Sequence, residues 1–173
     1  MTRKSCMVLA VLLLAATLPA KAEERRKAAP PALEAMKSLK GTWKGMSKDG
    51  VPSRTRFDVI AKGTALVETT DFEAHPNESM VTVYHADGES VLLTHYCIAG
   101  NQPRMRLVGY DPGTRTVRFD FLDGANIPTR DTGHMDSAVF TLTDDDHFTT
   151  RWSWYQDGKE KWSERLTYTR VEE

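Results

Sequence analysis

The chain has 173 residues, 23 basic and 24 acidic side chains, a net charge of −1 and two cysteines. A near-neutral balance with no basic run gives no footing for nucleic acid or for an anionic membrane surface. Apolar residues make up 40% of the chain, enough for one domain with a core of its own.

Residues 1–22 read as a secretory signal peptide. Arg3 and Lys4 form a positive start, Met7 to Leu18 an apolar run too short for a mature membrane helix, and Ala20-Lys21-Ala22 a cleavage site. Cleavage after Ala22 leaves 151 residues and removes Arg3, Lys4 and Lys21 but no acid, taking the net charge from −1 to −4. Cys6 leaves with it, so Cys97 has no intramolecular disulfide partner. The expectation is a secreted or periplasmic protein with no membrane span in the mature chain. Residues 23–30 read as a flexible leader and 31–173 as the domain.

Pro31 suits the first turn of a short helix, Leu33, Met36 and Leu39 give it one apolar face, and Gly41 stops it. From there the apolar period is two. Ten runs rich in Val, Thr, Phe, Tyr and Trp predict strands at 42–47, 53–61, 64–72, 79–85, 90–97, 104–110, 115–122, 136–143, 147–156 and 160–170. Such a chain is all-β: an antiparallel up-and-down barrel of about ten strands, closed so that no edge stays exposed, with one short N-terminal helix.

Turn chemistry proposes the register. Asp87-Gly88 as a two-residue turn sets Tyr84 opposite Val91 and Met80 opposite His95. Asp111-Pro112-Gly113, with Gly113 left-handed, sets Leu107 opposite Val117 and Met105 opposite Phe119. A three-residue turn at Asp157-Gly158-Lys159 sets Trp154 opposite Trp162 and Phe148 opposite Tyr168. A loop from Ile98 to Gln102 sets His95 opposite Met105. One face then carries Met80, Thr82, Tyr84, Val91, Leu93, His95, Cys97, Met105, Leu107, Val117, Phe119 and Phe121, while Arg104, Arg106, Arg118 and Asp120 lie on the other.

In this register Met80, His95 and Met105 form one row, with Cys97 two residues along. Thioether, imidazole and thiolate suit Cu(I), or haem iron through His95. The alternative is a core row in which His95 bonds Thr82 or backbone and the Met residues fill gaps. A hydrolase using Cys97 and His95 is disfavoured, because residues i and i+2 of a strand lie about 7 Å apart and no third, orienting acid is evident. Asn101 and Gln102 would lie at the barrel rim, in reach of a ligand head group. Trp152, Trp154, Trp162 and Phe148 read as packing. Glu68 and Glu164 share faces with apolar residues and are expected in water near a mouth. The segment 123–135 reads as the longest loop, a candidate lid.

The segment "LKGTWKG", Leu39 to Gly45, resembles the Gly-x-Trp opening of lipocalin and calycin barrels. The resemblance implies that a short helix leads into the first strand, that Trp43 closes the barrel floor, and that a late Arg, Arg170 or Arg165, packs on it. Ten strands are more similar to fatty-acid-binding proteins or nitrobindin-like haem barrels. The latter ligate haem through a His near the C-terminus, and the final "KWSERLTYTRVEE" has none. These readings converge on an exported barrel that binds a small apolar or amphipathic molecule, with His95, Cys97, Met105, Met80, Tyr84, Asn101, Gln102, Phe119, Trp152 and Trp154 as candidate contacts. The alternatives are a haem or copper protein using His95, Cys97, Met105 and Met80, an enzyme on a lipid-like substrate, and a barrel with a filled core.

Overall fold

A computed structural model describes residues 29–172. The expected signal peptide, residues 23–28 of the expected leader, and Glu173 lie outside the described residues. Helix α1 (Pro31–Lys37) precedes ten strands: β1 (Gly41–Ser47), β2 (Pro52–Ile60), β3 (Ala65–Phe72), β4 (Met80–Asp87), β5 (Ser90–Tyr96), β6 (Gln102–Asp111), β7 (Thr116–Ala125), β8 (His134–Leu142), β9 (His147–Gln156) and β10 (Lys159–Arg170). Each pairs antiparallel with its neighbours in sequence, and β1 pairs β10, so the sheet is a closed barrel. The expected all-β architecture with one short helix is what forms. The long loop is shorter than expected, because β7 and β8 extend to Ala125 and His134.

Alternation puts Phe57, Leu66, Tyr84, Leu93, Met105, Val117, Phe119, Phe140 and Phe148 in a sealed interior. Residues of the expected outer face pair outside, as Arg104 with Asp123 and Arg106 with Asp87. Beneath the barrel, Ala32, Leu33 and Met36 of α1 cover one end.

Trp43 is the centre of that floor. It is 0% exposed, its Nε1 donates to Leu39 O at 2.7 Å, and its ring meets Phe148 edge-on at 4.7 Å. The Arg170 guanidinium lies over the ring, 4.1 Å from its centroid. Its Nη1 and Nη2 donate to Lys40 O at 2.8 Å and Ser38 O at 3.2 Å, and Nε to Asp145 O at 2.9 Å. Of the two candidates, Arg170 is the one that packs on Trp43.

The faces are as expected, but three turns are not. Between β4 and β5 the two turn residues are Gly88 and Glu89, with Gly88 at φ +61°. A positive φ at the first central position alone is the type II′ pattern. Thr82, not Met80, therefore faces His95, and Tyr84 faces Leu93. Between β6 and β7 the loop takes four residues, and Arg115 at φ +50°, not Gly113, adopts the left-handed backbone. Between β9 and β10 the turn is two residues, Asp157 at φ +49° and Gly158 at φ +78°, a type I′ pair. A bulge between Glu160 and Trp162 then restores the expected pairings of Trp154 with Trp162 and Phe148 with Tyr168.

The opening of β6 differs too. Cys97 N–H donates to Asn101 O at 3.1 Å, and Leu93 pairs Met105. The expected row of Met80, His95 and Met105 does not form: His95 sits beside Thr82, and Met105 lies between Leu93 and Phe121.

Trp43→Ala removes the largest side chain of the floor and leaves a void that α1 cannot fill without moving. Chemical denaturation should show a loss of about 3–5 kcal/mol. An unchanged midpoint would mean that Trp43 does not close the barrel.

Candidate ligand cavity

The barrel end opposite α1 is open. Its rim is made by residues 48–51, 73–79, 97–101, 126–133 and 157–158, the connections between alternate strand pairs. A cavity of about 450 Å³ occupies this mouth, walled by Phe72, Met80, Cys97, Ile98, Met135, Trp154, Trp162 and Glu164 among others. A smaller cavity of about 50 Å³ lies deeper, against Glu68, Thr70, Thr82, His95, Trp152, Leu166 and Tyr168. Phe72, Met80, Met135 and Glu164 line both, so the inner space is the depth of the mouth.

The inner wall is polar for a barrel interior. Glu68 is 5% exposed and has no cation beside it; Tyr84 Oη donates to its Oε2 and Thr70 Oγ1 to its Oε1 at 3.3 Å. Loss of solvent pushes the carboxyl up to about 7, against the pull of the two hydroxyl donors. The same burial, with Glu68 adjacent, pushes the Tyr84 phenol well up. Glu68 was expected in water near a mouth. Its register opposite Phe57 and Thr82 instead sets it inside the barrel.

His95 is 5% exposed, and its Nδ1 lies 2.9 Å from Thr82 Oγ1. In the Nδ1–H tautomer that nitrogen donates to Thr82 and Nε2 is the acceptor. Nε2 is left as a buried lone pair with no partner, on the wall of the inner cavity. Burial pushes the imidazole down to about 4, so the ring is neutral near pH 7. Trp152 holds it from one side, centroids 5.0 Å apart.

The other candidate residues divide cleanly. Met80 lines both spaces, Cys97 and Trp154 line the mouth, and Trp152 lines the depth. Trp154 stacks on Trp162 at 5.6 Å with planes 5° apart. Burial raises the Cys97 thiol, against the nucleophile reading. Met105, Tyr84 and Phe119 are 0% exposed and line neither space. Asn101 Nδ2 donates to Gly133 O at 2.7 Å and Gln102 Oε1 accepts from Asn126 at 3.0 Å, so both tie the β5–β6 turn to the β7–β8 loop. Among the described residues no three His, Cys, Asp or Glu side chains gather as a metal site, and the four-residue soft-ligand set is not assembled. Glu164 does sit at the mouth, as expected, with Oε1 shielded and unpartnered. Phe72 and Met135 were not foreseen; both end strands beside loops, where alternation fades.

No protein-family model matches the chain, and no curated protein matches it in sequence. Solved structures do. Rv2717c from M. tuberculosis is 15% identical over 84% of this chain and 100% of that one, with a TM-score of 0.55. A protein of unknown function of the DUF3598 family from Nostoc punctiforme is 14% identical, TM-score 0.45, over 79% of this chain. The match covers 49% of that protein, about half its length. The barrel EF1p2_mFAP2b, bound to DFHBI, is 12% identical with a TM-score of 0.33. The first of these shows that the fold is shared with Rv2717c, and nothing about activity follows from it.

Glu68 and His95 give stability two opposing pH slopes. Glu68 has a raised native value, so the folded state holds a proton that the unfolded chain releases. Its contribution is present below the ordinary 4.5 and lost as pH rises to about 7, on the order of 3 kcal/mol. His95 has a lowered value, and its contribution is present above 6.5 and lost as pH falls to about 4. The two should offset each other between these limits. Denaturation midpoints of Glu68→Gln should fall steadily from pH 6.5 to 4, and those of His95→Gln from pH 4.5 to 7. Parallel profiles for both variants would refute the assignment.

Proposed function

We propose that this is an exported binding protein for a small amphipathic molecule, of calycin type, taking its ligand into the open end of the barrel. One observation carries the reading. The mouth cavity of about 450 Å³ is walled by Trp, Met, Phe and Ile side chains and leads to a small polar recess. A concave apolar wall with few convergent polar groups is the usual form of a small-molecule site. The floor is sealed by Trp43 and α1, so a ligand has one way in. The Gly-x-Trp opening and the Arg170–Trp43 contact support the calycin relation.

Nile red, neutral and apolar, should brighten on binding with a Kd on the order of micromolar and quench emission from Trp154 and Trp162. The protein should be purified from a secreting host, where its intact mass should correspond to a chain beginning at Glu23. Ala74→Trp places a large ring from the β3–β4 loop in the mouth and should weaken binding by ~10-fold or more. Equal binding by this variant would place the probe elsewhere.

A second reading follows from His95. Its unpartnered Nε2 and Met80 lie on one cavity, with Cys97 in the mouth above, an incomplete soft-ligand set. Titration with haem or Cu(I) should then give a spectral change that His95→Ala removes; no change on titration rejects this reading.

A further inference from the structure

The charge of the cavity wall is one-sided. Among the described residues, the side chains facing the mouth and the recess include Glu68, Glu164 and Asp49, and no Lys or Arg. Around the rim, Lys48 lies 3.9 Å from Asp49 and also acts on Glu164, whose carboxyl burial and Asp49 push up, and His75 lies 3.3 Å from Glu78. Two buried polar atoms of residues lining the recess have no partner: Glu164 Oε1, and His95 Nε2, an acceptor in the Nδ1–H tautomer. A binding site for a fatty acid or another anion needs the reverse, a buried Arg or Lys or a set of donors. Buried polar groups are retained with partners, and this recess has unpartnered atoms that no described residue satisfies.

We propose that the ligand is an amphipathic amine, its ammonium seated in the recess between Glu164 and His95 and its apolar body against the wall of the mouth. The assignment rests on the cavity reading given above and names the chemistry of its occupant. An ammonium presents N–H donors and a positive charge together, which is what two unpartnered acceptors and an acidic wall lack. The recess of about 50 Å³ suits a head group of that size and no larger polar one. The Trp152 ring lines the recess and the stacked Trp154 and Trp162 line the mouth where the apolar body would lie; an aromatic face attracts a cation and repels an anion. Glu68 adds a further response: held protonated by burial and by the absence of a cation, it should release its proton when an ammonium arrives.

The test is calorimetric titration of the protein at pH 6 and low salt with four ligands sharing one chain: octylammonium, octyltrimethylammonium, octanol and octanoate. Octylammonium should bind ~10-fold or more tightly than octanol, with octanoate weakest, and should release protons to the buffer. Glu164→Gln and Asp49→Asn lie at the partly exposed mouth, and should weaken octylammonium by a larger factor than octanol. Octanol or octanoate binding as well as the amine would overturn the proposal while the cavity reading stood. Binding of none of the four, with no uptake of Nile red, would overturn both. Octyltrimethylammonium has the charge without the N–H; affinity equal to that of octylammonium would remove the role given to His95 Nε2. A preference for the amine that survives both Glu164→Gln and Glu68→Gln would place the cation outside this recess and overturn the assignment.

Discussion

The closure of β1 on β10 is the constraint on which the rest depends. It sets Trp43 opposite Arg170, near the two ends of the described chain, and the ring is sealed by one cation–π contact and three carbonyl bonds from the same guanidinium. Those carbonyls belong to Ser38, Lys40 and Asp145, so a single side chain ties the turn after α1, the start of β1 and the β8–β9 loop. A planar donor fork can do this; the single ammonium of a Lys cannot reach three acceptors in a plane. With that end shut, the interior communicates with solvent only through the other. The polar residues placed partway up the barrel therefore belong to one cavity.

The sequence made the faces of the strands legible and their rows illegible, for one physical reason. Side chains alternate with period two, so moving a turn by one residue on each strand leaves every residue on its face while changing its cross-strand neighbour. Gly88 shows this: as the first turn residue and not the second, it keeps Tyr84 and Leu93 inside but replaces Met80 with Thr82 beside His95. The soft-ligand row vanished through that step and its counterpart at Asn101, with no apolar residue crossing to the wrong side. At β9–β10 the opposite happened. A two-residue turn and a later bulge cancelled, and the tryptophan pairing was recovered through the wrong geometry. Bulges leave no mark in residue type that alternation can detect.

Glu68 marks the other limit. Its neighbours Leu66 and Thr70 fix its face but not its depth, since depth depends on where β3 crosses β2 and β4. A carboxylate is ordinarily at a rim because dehydration is costly. Here Tyr84 and Thr70 lower that cost with two donors, and Thr55 extends the network through Thr70 at 2.8 Å. Those residues are individually ordinary in strands. Only the closed sheet brings them to one carboxyl.

The two ends of the barrel thus differ in how fully their groups are satisfied. At the floor, aromatic rings interlock: Trp43 meets Phe148 at 4.7 Å, and Phe148 stacks on Tyr168 at 4.2 Å with planes 4° apart. Toward the mouth, the chain keeps a nitrogen of His95 and an oxygen of Glu164 without partners. Each such group costs about 1–3 kcal/mol, which Leu or Met at the same position would avoid. The burial of Trp43 and its neighbours offsets that loss. Because the strands run the whole height of the barrel, the penalty at the open end is carried by the closed one. Favourable and unfavourable terms sum within one cooperative unit, and the Arg170–Trp43 closure of β1 on β10 is part of what offsets the unsatisfied recess.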